Sequence, residues 1–279
     1  MSIDSIIPDI KILQLKPRNI GRKNIGWNIE NIPFSGIDIW NCYEFSFLEK
    51  SGKPFVGILR ITYPADSEFI VESKSLKLYL NSYNMTILKN KVEALHMIEN
   101  DLKISLKISK VKLEILNYYN FHQEFTQDNN FKCIDNLNSN NSFQYEVNAN
   151  LLNTKPIEKQ EHFLMSNLLK SNCPITNQPD WGSIYIYYFA DKKEIKEESL
   201  LNYIVSYRNH NEFHEECCER ILFDLVNKIQ PRKIIVLCKY NRRGGIDINP
   251  LRIYPREKFL LQNLPDQIIE LLYFREFRQ

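Results

Sequence analysis

A nine-residue string occurs twice in this chain, and the repetition limits the folds open to it more than any other feature. SLKLYLNSY at 75–83 returns as SLLNYIVSY at 199–207, with Ser, Leu, Tyr, Ser and Tyr at the same offsets. Upstream, PADSEFIVES (64–73) aligns with FADKKEIKEES (189–199) after one inserted residue. Before those lie two runs rich in β-branched and aromatic residues, VGILRITY (56–63) and SIYIYYF (183–189), both strand-like in composition. A matched order of strand, turn and helix at this separation is a domain-scale duplication, far longer than a solenoid period.

Each half reads as strand, strand, helix, helix, strand, strand. In the first half, strands are predicted near 38–48 and 54–63, helices near 73–83 and 91–101, and a strand near 103–118. In the second, strands are predicted near 158–170 and 181–190, helices near 196–208 and 213–230, and strands near 232–240 and 248–254. Phe213, Cys217, Ile221, Leu222, Leu225, Val226 and Ile229 fall on one helical face, and Pro231 ends the run. This order indicates an α+β class, with helices on one face of an antiparallel sheet. Residues 129–153 contain nine Asn, a turn-forming composition, and place the module boundary near 150, giving modules 1–150 and 151–279. FQYEV within that segment is a candidate short strand.

Composition removes several function classes. With 36 basic and 34 acidic residues, the net charge of +2 does not suit a chain whose main partner is nucleic acid or an anionic membrane. No apolar run approaches the roughly 20 residues of a spanning helix. The start, MSIDSIIPDIKILQ, lacks the apolar core of a signal peptide. Six cysteines are too few for a disulfide scaffold of this size and fit a reducing, cytoplasmic setting. CxxC, HExxH and GxGxxG are all absent, which counts against the common zinc sites and a fingerprinted Rossmann site.

Four segments stand out as chemistry-bearing. SNCPITNQPDWG (171–182) replaces the short connection EKSGKPFV of the first half with a longer, proline-stiffened loop holding Cys173 and Asp180. A thiolate is a nucleophile, and a nearby acid can protonate what it attacks; the bland alternative is a small buried cysteine and a turn aspartate. ESKSLKLYL (72–80) sets Glu72 and Ser73 at a helix start, with Lys74 and Lys77 adding charge; it also reads as an ordinary capped, solvated helix. HNEFHEECCE (210–219) brings His210 and His214 before Cys217 and Cys218, so zinc is conceivable, but Cys217 belongs to the apolar stripe. NRRGGIDINP (241–250) follows two arginines with two glycines, which suits close approach to a phosphate or a plain basic hairpin.

Together these segments resemble the NADPH-dependent 7-cyano-7-deazaguanine reductases, the nitrile reductases of queuosine biosynthesis, in their long form. The residues that carry the likeness are ESKSLKLYLNSYN (72–84), SNCPITNQPDWG (171–182), FHEECCERI (213–221) and NRRGGIDINP (241–250), in the family's order. The resemblance implies two tandem tunnelling-fold modules and a four-electron reduction of a nitrile to an aminomethyl group. It implies Cys173 as the nucleophile forming a covalent thioimide and Asp180 as proton donor. Glu72 and Glu215 would recognise the deazaguanine base, with Val71, Ser73 and His214 lining the pocket. Ser73, Lys74, Arg243 and Gly244 would hold NADPH. A working site would draw on both modules. No metal and no direct nucleic-acid partner are implied, and a homodimer is expected. Two residues depart from the family pattern: Cys218, where a small aliphatic residue is expected, and Leu251, where tryptophan is expected. The rival readings are a zinc-dependent pterin or purine cyclohydrolase of the same fold, and a non-catalytic tRNA-binding module.

Overall fold

The computed structural model describes residues 8–116, 130–137, 142–258 and 261–279. It resolves into two compact units that interleave along the chain. Unit 1 takes Met1–Ile20, Asp38–Glu124 and Arg242–Ile248; unit 2 takes Gly21–Ile37, Phe125–Asn241 and Asn249–Gln279. In chain order the elements are β1 (Leu15–Pro17), α1 (Arg18–Ile25), β2 (Ser35–Glu49), β3 (Pro54–Pro64), β4 (Phe69–Val71), α2 (Ser73–Asn81), β5 (Ile87–Leu88), α3 (Lys91–Leu106) and β6 (Lys112–Leu116). Then come β7 (Lys132–Cys133), β8 (Thr154–Pro156), β9 (Gln160–Asn172), β10 (Pro179–Ala190), β11 (Lys193–Ile195), α4 (Glu197–Val205), α5 (His214–Ile229), β12 (Lys233–Tyr240), β13 (Ile246–Tyr254) and α6 (Asp266–Tyr273). The α+β class with antiparallel sheets agrees with the sequence pattern. Among the described residues no helix is long and apolar enough to cross a membrane.

In unit 1, β3 pairs antiparallel with β6, and β2 lies on its other side. One face of this sheet carries Phe45, Phe47, Leu59, Ile61 and Tyr63, which pack against Leu76, Tyr79 and Tyr83 and against Ala94, Ile98 and Leu102 of α3. In unit 2, β10 pairs antiparallel with both β9 and β12, and β12 with β13. Ile184, Ile186, Tyr188, Ile234, Val236 and Cys238 alternate along their strands toward α4 and α5, whose Leu200, Tyr203, Ile221 and Leu225 close the core. The pairing of β10 with β9 shifts register between Gly182 and Ile184.

The duplication extends to hydrogen bonds that no sequence alignment displays. In unit 1 the Tyr79 hydroxyl meets that of Tyr83 at 2.9 Å and donates to Asp101 at 2.5 Å. In unit 2 Tyr203 meets Tyr207 at 2.8 Å and donates to Asp224 at 2.6 Å. The Gln14 amide donates to Ser75 Oγ at 2.9 Å, and the Asn153 amide to Ser199 Oγ at 3.0 Å. The buried tyrosine pair at the end of the first long helix, held by an acid from the second, is therefore what the repeated Tyr-x-x-Ser-Tyr encodes.

The structure corrects two expectations and adds elements that had none. The strand expected over 103–118 begins only at Lys112, because Leu102 and Leu106 extend the buried face of α3, which runs on to Leu106 and ends with Lys107 in the left-handed region. FQYEV at 143–147 is not a strand; Phe143 and Tyr145 are exposed there. The short β1, β8 and α6 have no periodic signature long enough to read and were not anticipated.

Candidate active site

Residues 173–178 connect β9 to β10, and the hairpin pairs Pro179 with Asn172 and Asp180 with Ser171. The loop closes on itself: the Cys173 amide donates to Gln178 O and the Asn177 amide to Cys173 O, both at 2.9 Å. Asn177 adopts φ 55°, a left-handed conformation that Asn tolerates better than most residues. This turn leaves the Cys173 thiol half-buried and within reach of Thr176. Burial and the charge of Asp180 oppose its ionisation. Hydrogen bonds from the Thr176 hydroxyl and from the Thr176 and Ile175 amides outweigh both, so the thiol sits below its ordinary value.

Asp180 is 2% exposed. Its Oδ2 lies 3.2 Å from Nε2 of His214, the first residue of α5. That imidazole is stacked on the Tyr240 ring at 3.9 Å and 18°, which fixes its plane. Glu215 follows in the first turn of α5 and is 1% exposed. Unit 2 thus brings together Cys173, Asp180 and His214, from a loop and a helix start separated by some 35 residues of sequence, and Glu215 is the next residue of that helix. Trp181 does not bury Asp180. Successive strand residues face opposite ways, and the indole is 37% exposed under the Arg208 guanidinium.

Unit 1 gathers the remaining candidates. Glu72 caps α2: its carboxylate accepts from the amides of Lys74 at 2.9 Å and Ser75 at 2.7 Å. Val71 is buried at the end of β4; Ser73 is part-exposed and Lys74 exposed in the first turn. Arg243 and Ile246 exchange amide–carbonyl hydrogen bonds at 2.9 and 3.1 Å around Gly244 (φ 56°) and Gly245 (φ 83°). This is the two-residue turn that needs glycine. A Cβ at Gly244 would lie 3.1 Å from Lys77 Nζ, and one at Gly245 would strike Glu44. The bare backbone of Gly244 therefore lies beside two cations, Arg243 and Lys77. A phosphate-bearing cofactor needs such a combination of uncovered amides and positive charge.

The cysteine–histidine cluster does not assemble as a metal site. His210 Nε2 is 3.0 Å from Glu212, and His214 faces Asp180. Cys217 and Cys218 are fully buried in the core, the latter directing its thiol at the carbonyls of Val236 and Pro250. Among the described residues no group of three His, Cys, Asp or Glu side chains is placed to hold an ion. A cleft of about 360 Å³ elsewhere in unit 2, lined by His162, Tyr188, Glu194 and Lys196, contains none of the candidate residues. Sequence reasoning passed over Thr176 and Tyr240. Thr176 lay inside the noted loop, whereas nothing along the chain points to Tyr240.

The thiol's low position gives a direct test. Thr176→Val is expected to raise the alkylation midpoint of Cys173 by about one pH unit, since a hydrogen bond to a charged group is worth roughly 1.5 kcal/mol. Iodoacetamide labelling across pH, with the modified peptide located by mass, measures it; an unmoved midpoint would remove Thr176 from the account.

The chain is similar to known proteins over most of its length. Residues 8–115 match the family model described as "Nitrile reductase, 7-cyano-7-deazaguanine-reductase N-term", and residues 179–258 match that of "QueF-like protein". The NADPH-dependent 7-cyano-7-deazaguanine reductase of Desulfotalea psychrophila is 42% identical over 251 residues, covering 90% of this chain and 89% of that protein. The crystal structure of the archaeosine synthase QueF-Like in the apo form aligns with a TM-score of 0.33 at 18% identity, over 37% of this chain and all of that one. With 42% identity to one such reductase over nine-tenths of its length, and both halves matched by the family's models, the chain belongs to the 7-cyano-7-deazaguanine reductase family.

Proposed function

We propose that this chain reduces the nitrile of 7-cyano-7-deazaguanine to the aminomethyl group with NADPH, through a covalent thioimide on Cys173. The observation that carries the reading is the loop 173–180. It holds a thiol below its ordinary value beside a buried carboxyl that is paired to an imidazole.

A nitrile carbon accepts hydride poorly. Addition of the Cys173 thiolate across the triple bond, with a proton delivered to nitrogen, gives a C=N group that accepts it readily. Asp180, withdrawn from water and paired with His214, is the proton donor. The carbon of the thioimide then takes up hydride, the Cys173 sulfur leaves with the C–S electron pair, and the imine is reduced once more. NADPH supplies hydride when bound, and the four-electron change consumes two equivalents with two protons. Ser73 and Lys74 at the start of α2, with Arg243 and Gly244 of the glycine turn, hold its phosphates. Glu215 of unit 2, with His214 beside it, and Glu72 of unit 1, between Val71 and Ser73, are the carboxylates that accept N–H donors of the base. A carboxylate that must be satisfied by such donors discriminates strongly against bases lacking them.

The duplicated elements support reading the chain as two tandem tunnelling-fold modules, divided near residue 150. The first helix opens with ESKS in one copy and with KEES in the other, so the cofactor lysine occurs in one copy only.

The test is to mix the protein with the nitrile in the absence of NADPH. Intact mass is expected to rise by one substrate, with the addition mapped to the peptide holding Cys173. A protein that oxidises NADPH with the nitrile but never carries the adduct would overturn the covalent route.

A further inference from the structure

We infer that Asn211 is a positioning residue that holds the Cys173–Asp180 loop at a fixed height against the start of α5. The inference rests on the function proposed above and adds a residue to it.

Residues 210–212 run alongside the end of β9 as a short parallel bridge. The Asn172 amide donates to His210 O at 2.8 Å, and the Glu212 amide donates to Asn172 O at 3.2 Å. Between these backbone bonds, the Asn211 side chain reaches both ends of the loop. Its Oδ1 accepts from Asn172 Nδ2 at 3.1 Å, and its Nδ2 donates to Asn177 Oδ1 at 2.9 Å. Asn172 immediately precedes the cysteine, and Asn177 is the left-handed residue whose amide closes the turn onto Cys173 O. One amide therefore spans the mouth of the loop and fixes where Thr176 and Ile175 stand relative to the thiol.

The strip that carries Asn211 is anchored independently. Glu212 is buried and receives Arg220 Nε at 3.0 Å on each oxygen, a further Arg220 nitrogen, and His210. Burial opposes its charge, but His210 and Arg220 hold it below the usual carboxylate range. Arg220 lies on α5, less than two turns after His214 and Glu215. The chain of bonds thus runs from the helix that presents His214 and Glu215, through Glu212, to Asn211 and the nucleophile loop. Loosening its last link leaves all four groups intact but lets the thiol shift against Asp180 and His214. A shift of this kind costs rate without removing any catalytic residue.

The experiment compares the full-length chain with Asn211→Ala, Asn177→Gly and the double variant. Asn211 is exposed, and glycine at 177 accepts the left-handed backbone without strain, so both variants are expected to fold. Adduct formation from the nitrile without NADPH is expected to slow about fivefold to tenfold in Asn211→Ala, the worth of one or two hydrogen bonds. Asn177→Gly should slow it less. The double variant should match Asn211→Ala alone, because both changes remove the same bond. The alkylation midpoint of Cys173 should rise in all three. Adduct formation at the wild-type rate in Asn211→Ala, or effects that multiply in the double variant, would overturn the inference. Failure of the wild-type chain to form any adduct would overturn the functional reading instead. The alkylation profile would then still judge Asn211, with an unchanged midpoint refuting its positioning role.

Discussion

Cys173→Ala is expected to abolish covalent capture of the nitrile and to lower kcat/KM by more than about ten-thousandfold, as removal of a nucleophile does in other covalent enzymes. The change deletes one sulfur atom from a loop whose backbone bonds, Cys173 N to Gln178 O and Asn177 N to Cys173 O, do not involve the side chain. Fold and melting temperature should therefore hardly move, and any loss reports chemistry. Cys173→Ser separates two causes of failure. A hydroxyl occupies the same place and receives the same hydrogen bonds, but it does not ionise in the range where a thiol does. If nucleophilicity is what matters, serine should be nearly as inactive as alanine. NADPH oxidation with the nitrile, followed for all three proteins, makes the comparison. Alanine activity within tenfold of wild type would mean that hydride reaches an unactivated nitrile.

The second large effect is on stability. Glu219 is 2% exposed on α5 and lies between two guanidinium groups. Arg22 approaches it with Nε at 2.8 Å and Nη2 at 2.9 Å, and Arg252 with Nε at 3.0 Å. The Trp27 indole N–H reaches the Glu219 carbonyl at 3.3 Å. Glu219→Ala would leave two buried cations facing each other without the carboxylate between them. The expected cost is about 3–5 kcal/mol of unfolding free energy, far above that of a surface ion pair. Urea unfolding measures it. Because His214 and Glu215 begin the same helix, a folded Glu219→Gln variant is also expected to bind substrate less well. A loss below about 1 kcal/mol in Glu219→Ala would show that the two arginines find other partners.

The sequence disclosed the fold wherever a period was long enough to leave a pattern. Helix α5 was legible from its apolar stripe, and the paired helices and strands were legible because the chain states them twice. The two-residue strands and β1 were not, since pairs such as Leu15 with Val71 are made by register rather than composition. Of the candidate site, the segments bearing Cys173, Asp180, His214 and Glu215 were visible as short unusual strings. What joins them was invisible. Tyr240 meets His214 only because β12 and α5 pack together, and Asn211 meets Asn177 only because a loop folds back. Trp181 adjoins Asp180 in sequence yet stands on the opposite face of β10, as neighbouring strand residues do.

The interleaving of the two compact units bears on how the polypeptide matures on the ribosome. Unit 1 draws on Arg242–Ile248, where Asp247 accepts from Asn41 and Tyr43, and unit 2 draws on Gly21–Ile37. Unit 1 therefore cannot complete its native interactions before Ile248 is made, nor unit 2 before the segment that starts at Asn249 is made. The amino-terminal half must wait, with partly uncovered strands, until Arg242–Ile248 has been translated. A nascent chain of this design depends on late closure, and slowing the codons that precede Arg242 should prolong its exposure to holding chaperones.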